Sequence, residues 1–305
     1  PIEADFLFHK LANLLNRPEL LPKDYLFKKL KLDLEQINIP ALPKVISKVV
    51  AFDVNDLEQG VKEFEKILLP DVGITSNLLK LANSAFYGRS GKIHTLKDAI
   101  SLIGVKSVRN IILMDFTKKM SKGSKNPLVR TYLREHPILS SLIAFDLAKP
   151  LGIDSVQESI FLLVLLKKIG MNILSANFQK NYLKILKLHE FNLKTIFELE
   201  KDEFQLTSIE LGEKVFRTWN FSEDYIDAVL EQNFSIEKLD EVSDTNRLSR
   251  LSDIIAGEML DIATSDEDKN LKNAIFSHYQ VPEETAQLFG EDYYDMIKDH
   301  PFLNL

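Results

Sequence analysis

The chain of 305 residues contains no cysteine, which excludes disulfide bonds and thiolate metal ligands. A reducing, cytoplasmic location is therefore expected, since disulfides belong to oxidising compartments. Glycine is scarce, with 11 residues, and neither a phosphate-binding glycine loop nor a dinucleotide fingerprint is present. Without cysteine or a GxSxG elbow, the sequence shows no signature of an activated nucleophile.

Long apolar runs and basic surfaces are also missing. The longest unbroken apolar run covers residues 160–166, whereas a bilayer span needs about 20 residues, so we expect a buried helix and no membrane span. A formal net charge of −7 argues against a nucleic-acid binder, because phosphate neutralisation needs a basic surface. One stretch, residues 97–134, is locally basic. We favour a solvated linker for its richest part, residues 118–125, over a patch for an anionic partner.

What the sequence does contain is helical periodicity. Apolar residues recur at three- and four-residue spacing through most of the chain, and no segment alternates with period two for long enough to predict a strand. The pattern predicts an all-α fold. It places two N-terminal helices before the domain proper, and later helices that include a long one in the middle of the chain. The predicted ranges that matter below are 4–16, 24–37, 138–149, 156–174 and 247–262.

The most informative stretch is LLKLANSAFYGRSGKIHTLKDAISLIG at residues 78–104. An apolar stripe ends at Asn83, and asparagine tolerates the left-handed conformation that stops a helix. A loop with two aromatic residues follows, and Thr95 opens the next helix with Asp98 three residues later, in the positions of a capping box. The stretch therefore predicts two helices joined by a loop that contains Tyr87 and Arg89.

Together with IPALP at residues 39–43 and Asp71, this order of motifs resembles the HDOD family, a catalytically silent relative of the HD phosphohydrolases. The resemblance runs from about residue 37 to about residue 233. It implies an HD-like multi-helix bundle with an N-terminal helical subdomain. We predict four parts: an N-terminal extension, the N-terminal helical part of the HDOD domain, its degenerate HD-like part and a C-terminal extension, at 1–36, 37–121, 122–240 and 241–305.

The resemblance also locates the place of the HD metal site, where relatives use one His, an adjacent His-Asp pair and a distant Asp. The first position falls on His136, but the pair falls on Lys167 and Lys168. An ammonium group has no lone pair to give and repels a dication. Paired histidines expected farther on fall on residues 232–233, which are Gln and Asn. We therefore predict no metal, no cofactor and no catalytic residue.

Some residues remain candidates for contact with a ligand or partner. Helix termination is the favoured role of Asn83 and Ser84, and ordinary loop packing is the alternative for Tyr87 and Arg89. The two lysines either extend to water along their stems, which we favour, or bind an anion in the vacated cavity. Pro137 disfavours helical geometry at His136 and predicts a helix start or kink there. The candidates are Asn83, Ser84, Tyr87, Arg89, His136, Lys167 and Lys168.

The resemblance implies that the protein is a non-catalytic regulatory or scaffold module of bacterial signal transduction. Its partners would be signalling proteins, such as second-messenger enzymes and response regulators, and it would act by binding a partner helix or a small anionic ligand. Two alternatives stay open. One is a divergent HD-type metal-dependent phosphohydrolase or cyclic-dinucleotide phosphodiesterase, and the other is a nucleotide or anion sensor that does not hydrolyse its ligand.

Overall fold

The computed structural model describes residues 30–53, 60–87, 93–120, 126–190 and 194–297, together with Leu11 and Leu15. Within these ranges the regular structure is helical and contains no strand, which confirms the all-α prediction. The chain forms two compact units. Of the described residues, the smaller contains those in Pro40–Met120 and 295–297, and the larger contains those in Ser121–Tyr294 and those up to Ile39.

Two of the predicted helix starts are present in the smaller unit. Asp71 Oδ1 accepts a hydrogen bond from the Ile74 amide at 2.9 Å, and Thr95 Oγ1 accepts one from the Asp98 amide at 3.1 Å. Each bond satisfies an amide that has no partner within its own helix. The helices are α1 Lys44–Ala51, α2 Gly60–Leu68, α3 Val72–Ala82, α4 Leu96–Ile103 and α5 Val105–Met120. A single 3-10 turn, Ala85–Tyr87, follows α3.

Asn83 ends α3 through its side chain. Its backbone has φ of −92°, so the predicted left-handed conformation is not adopted. Instead its Nδ2 donates to the carbonyls of Leu79 at 2.9 Å and Ile93 at 2.8 Å, while its Oδ1 accepts from the Ile93 amide at 3.0 Å. The amide of Asn83 thus joins the two ends of the loop between α3 and α4.

The larger unit contains the remaining helices. They are α6 Pro127–Arg130, α7 His136–Leu147, α8 Gln157–Leu166, α9 Ile169–Asn177, α10 Gln179–His189, α11 Ile196–Phe204, α12 Ser208–Thr218, α13 Glu223–Leu230, α14 Asp244–Met259, α15 Asp266–His278, α16 Glu283–Leu288 and α17 Glu291–Ile297, the last of which crosses into the smaller unit. The described residues between 126 and 294 belong to one compact unit, and the predicted division of the chain at 240/241, with an extension at 241–305, stays a prediction.

The helix predicted over 24–37 is wrong over residues 30–37, the part that the structure describes. Residues 30–33 are not helical, and Leu34–Gln36 is only a 3-10 turn. The amides of Leu30 and Leu32 donate to the carbonyls of Glu203 and Phe204, at 2.6 and 3.2 Å. These carbonyls lie at the end of α11, where they accept no hydrogen bond from the helix itself. The amides of the N-terminal segment therefore provide the missing hydrogen bonds. The helix predicted over 4–16 lies outside the described residues, apart from Leu11 and Leu15.

The apolar run at residues 160–166 lies in the core, as predicted, with every side chain at most 2% exposed. The longer run Ser159–Asn177 has the length and composition of a membrane-spanning helix, but 83% of it is buried inside the protein. It therefore lies at the centre of the helical packing of the larger unit. Helix α14 packs against α7 there, and α9 packs against α12.

Gly170 permits the close approach of α9 and α12. A Cβ atom added at this position would lie 2.0 Å from the Ser208 carbonyl oxygen and 3.0 Å from the Gly212 nitrogen. Both are backbone atoms, so relief would require moving a helix.

We predict that Gly170→Ala destabilises the protein by about 3 kcal/mol or more in urea unfolding, because the helices must separate. Gly257→Ala is the matched control, since its nearest contact would be an ordinary 3.9 Å. That control is expected to stay within about 1 kcal/mol of the parent. Equal stability of the two variants would contradict the close packing.

Candidate functional site

The site begins at a break in the central helix. The sequence predicted one helix over 156–174, but α8 ends at Leu166 and α9 starts at Ile169, with Lys167 and Lys168 in a turn between them. Lys168 has φ of −86° and ψ of 14°. In a continuous helix of 3.6 residues per turn, neighbouring side chains diverge by about 100°. From this turn, the Lys167 ammonium group contacts Asp253 and the Lys168 ammonium group contacts His136.

The ammonium group of Lys167 has three polar contacts. Its Nζ lies 2.8 Å from Asp253 Oδ2 and donates to the Ser249 carbonyl at 3.1 Å and to the Ser249 hydroxyl at 2.6 Å. These three contacts use the three hydrogens of an ammonium group. The side chain is 0% exposed, so the favoured interpretation that this lysine extends to water is wrong. Lys167 is an internal counter-ion.

Asp253 is ionised because of this neighbour. Burial would raise the pKa of its carboxyl group, but the ammonium groups of Lys167 and Lys168 outweigh burial and hold the pKa well below its usual range. Its Oδ2 faces Lys167, whereas its Oδ1 is buried without a hydrogen-bond partner in the described part of the chain.

His136 completes the cluster as a neutral ring. Its Nε2 lies 3.0 Å from the Asp253 carbonyl oxygen, which can only accept, so we place the ring hydrogen on Nε2. Nδ1 then accepts from Lys168 Nζ at 2.8 Å and from Ser140 Oγ at 3.2 Å. Burial and the charge of Lys168 lower the pKa of His136 to about 3. The lone pair that a metal would use therefore accepts from Lys168.

The backbone at His136 is helical despite Pro137. Its φ and ψ are −60° and −50°, so the expected departure from helical geometry is wrong, although α7 does begin at this residue. A π-helical turn, Thr131–Glu135, precedes it, and the His136 amide bonds to the Thr131 carbonyl. The wider π turn accommodates a proline, which lacks an amide hydrogen and clashes with the carbonyl four residues back.

The residues of this cluster do not fit a divalent metal. Metal ions need the lone pairs of imidazole and carboxylate groups. Here the ammonium group of Lys168 contacts the imidazole of His136, and that of Lys167 contacts the carboxylate of Asp253. Among the described residues, no group of three or more His, Asp or Glu side chains is placed to hold a metal ion. The arrangement can bind charge, but it offers no vacant set of ligands.

Comparison with known proteins identifies the family of the chain. A model of the HDOD domain matches residues 39–234, more than half of the chain. The chain belongs to the HDOD family. The matched range includes His136 and both lysines but ends before Asp253.

Solved structures show the same fold. One is a candidate phosphohydrolase from Shewanella amazonensis SB2B, with a TM-score of 0.62 and 19% identity, covering 88% of this chain and 93% of that one. Another is an HDOD domain protein of unknown function from Geobacter sulfurreducens, with a TM-score of 0.62, 18% identity and coverage of 85% and 90%. A candidate signal-transduction protein from Marinobacter aquaeolei VT8 gives 0.64 at 15% identity, covering 96% of this chain and 63% of that one.

Among curated proteins, an uncharacterised protein from Treponema pallidum (strain Nichols) is 19% identical over 193 residues. That match includes 63% of this chain and only 37% of the relative. The HDOD chain therefore spans little more than a third of that relative's length.

A cavity of about 110 Å³ adjoins the cluster in the larger unit of this HDOD protein. His136, Lys168 and Asp253 line it together with Arg250, and Gln232 and Asn233 do so from the loop after α13. The last two stand where paired histidines were expected. Amide groups there can donate and accept hydrogen bonds but are weak metal ligands compared with imidazole.

Sequence reasoning missed Asp253, Ser249 and Arg250. All three lie on α14, in the range assigned to a C-terminal extension beyond the family resemblance. A signal existed, since Asp253 lies beside the apolar, buried Ile254 and Ile255 on a predicted helix, and a distant aspartate was expected. No partner for that aspartate was visible, because its contact with Lys167 spans 86 positions.

The remaining candidates lie in the smaller unit, away from this cluster in the chain. The side-chain amide of Asn83 is used within its own loop, the Ser84 hydroxyl is buried without a described partner, and Tyr87 packs edge to face on Phe86 with ring centroids 5.0 Å apart. Arg89 lies outside the described residues. A binding role for these four stays a prediction.

The basic stretch at residues 118–125 can be compared only at its start. Lys118 is buried, with 5% exposure, and Lys119 pairs with Asp115 at 2.7 Å. Residues 121–125 lie outside the described ranges.

We predict that Lys167→Ala destabilises the protein by about 3–5 kcal/mol, because Asp253 is left as an uncompensated buried charge. The double variant Lys167→Met with Asp253→Leu is expected to recover most of that loss in urea unfolding, since neither charge remains. Lys149→Ala, on the exposed surface, is the control and should change stability by less than about 0.5 kcal/mol. An equal loss in the single and double variants would contradict the pairing.

We also predict that His136 makes the stability of the folded protein sensitive to acid. Its pKa is lowered from 6.5 to about 3, so below pH 6.5 the unfolded chain binds a proton that the folded protein excludes. Stability is therefore full above pH 6.5 and falls as the pH drops, by roughly 3 kcal/mol on reaching about pH 4. Asp253 adds to the loss only below its unfolded pKa of about 4.

The measurement is the free energy of unfolding between pH 7 and 4, compared with that of His136→Gln. The variant should show a shallower decline over this range, because the difference between the two curves isolates this ring from the other histidines. Parallel curves would show that His136 is not held neutral by the fold.

Proposed function

We propose that this HDOD protein is a non-catalytic module of signal transduction that works by binding. The observation that supports this most directly is the Lys167 ammonium, 2.8 Å from Asp253 and 0% exposed. The Asp253 carboxylate, which could coordinate a metal in an HD-type site, is already paired with the ammonium group of Lys167. A site arranged in this way keeps the helical scaffold and gives up the lone pairs on which metal-dependent hydrolysis relies.

Electrostatic repulsion opposes the entry of a divalent metal beside the two lysines. A dication about 4 Å from one ammonium group is repelled by about 8 kcal/mol at an effective dielectric constant of 20. Two ammonium groups act on this site, those of Lys167 and Lys168. Coordination by Asp253 and the neutral His136 would have to overcome both.

The signalling role is proposed from family membership and from a structural relative that is named as a candidate signal-transduction protein. We propose second-messenger enzymes and response regulators as the protein partners and the cytoplasm as the location. The main rival is turnover, because another relative of the same fold is named as a candidate phosphohydrolase. Metal content and hydrolysis separate the two.

The test is elemental analysis of protein purified without chelators, together with hydrolysis assays on cyclic dinucleotides and simple phosphate esters. We expect far less than one equivalent of iron, manganese or zinc and no turnover above background. The double variant Lys167→His with Lys168→Asp is the informative comparison, since it restores two ligands beside His136 and Asp253. It should retain more metal than the parent.

Stoichiometric metal in the parent protein, accompanied by hydrolysis that chelators abolish, would overturn the proposal. Metal without turnover would overturn the electrostatic argument alone.

A further inference from the structure

The cavity and the adjoining cluster together hold one more cation than carboxylate. Lys168, Arg250, Asp253 and Asp268 line the cavity, and Lys167 lies behind the lining. Arg250 pairs with Asp268, and Asp253 pairs with Lys167. The two histidines of the lining, His136 and His189, are neutral because burial lowers the pKa of each. Lys168 is left over as a cation without an anionic partner of its own.

Lys168 is also short of hydrogen-bond acceptors. Its ammonium group has three hydrogens, and among the described residues its one acceptor is Nδ1 of His136. Burial and the neighbouring charges of Lys167 and Arg250 lower its pKa to about 8, although the nearby Asp253 carboxylate opposes that shift. A charge in such surroundings destabilises the fold unless another group compensates for it.

Arg250 supplies a second unused donor. Its Nη2 bonds to Asp268, but its Nε is buried without an acceptor in the part of the chain that the structure describes. An unsatisfied buried N–H is costly, and a charged one more so. Two cationic donors thus line one cavity and repel each other through it.

The size of the cavity limits the ligand. About 110 Å³ is several times the roughly 10–15 Å³ that one water molecule needs on the same measure. It is well below the roughly 300–1,000 Å³ of pockets that enclose whole drug-sized ligands, so a cyclic dinucleotide would not fit inside. A carboxylate or phosphate group is of suitable size and charge.

We propose that this cavity binds the carboxylate or phosphate group of a small metabolite between the ammonium group of Lys168 and the Nε–H of Arg250. The proposal rests on the proposed function, because a site without a metal can hold such a group without hydrolysing it. Asn233, which is exposed and lines the same cavity, provides a neutral amide donor.

The rest of such a metabolite has room next to the cavity. A second cavity of about 490 Å³ shares Asn233, Arg250 and Asp268 with the first, along with Thr195 and Phe197. The Arg250–Asp268 pair lines both. In our proposal, the anionic group lies in the first cavity and the rest of the metabolite lies in the second.

The experiment is a thermal-unfolding titration of the full chain with sodium phosphate and with sodium acetate, at constant ionic strength set with sodium chloride. At a hundredfold excess over Kd, a bound anion should raise Tm by roughly 5–10 °C, with saturation. The two salts distinguish a phosphate group from a carboxylate group. Lys168→Met should abolish the rise, and its Tm without anion should exceed that of the parent, because an uncompensated charge is removed.

Lys149→Met is the matched control, since Lys149 is exposed and does not line the cavity, and it should respond like the parent. Lys168→Gln serves as a second variant if Lys168→Met fails to fold. The proposal is overturned if neither anion gives a saturable rise, or if the rise is the same in the Lys168 variants, as general salt stabilisation would produce. Neither result would affect the non-catalytic function, which depends on metal content and turnover.

Discussion

The larger unit depends on one buried ion pair, between Lys167 and Asp253. A carboxylate taken out of water costs several kcal/mol unless a cation and hydrogen bonds replace its hydration. Here the replacement comes from the chain itself, and Ser249 accepts the other two hydrogens of the ammonium group. The turn at Lys167 and Lys168, between α8 and α9, carries both lysines that contact the cluster.

The same pair is the basis of the proposed binding function. Lys167 lies on Asp253 Oδ2 and Lys168 on His136 Nδ1, so an ammonium group opposes a dication at each of these two residues. The cluster does leave a second lysine, whose charge is balanced by no carboxylate of its own. In our proposal, the two lysines both oppose a metal ion and provide the positive charge that binds an anion.

Much of the fold could be predicted from local signals, and the site could be predicted only in part. Asp71 and Thr95 mark helix starts through short-range hydrogen bonds, which sequence spacing records. The break between α8 and α9 left no such signal, because neither glycine nor proline interrupts the apolar run before Gly170. Asp253 was missed for a different reason, since its role comes from a contact distant in sequence. Family resemblance located three members of the cluster and ended before the fourth.

The most direct measurement of the central claim is an anomalous-scattering map from crystals grown with excess manganese. We predict no anomalous peak between His136 and Asp253, with ordinary density for the Lys167 ammonium group in contact with the carboxylate. A strong peak coordinated by both residues, with the lysine displaced, would contradict the account.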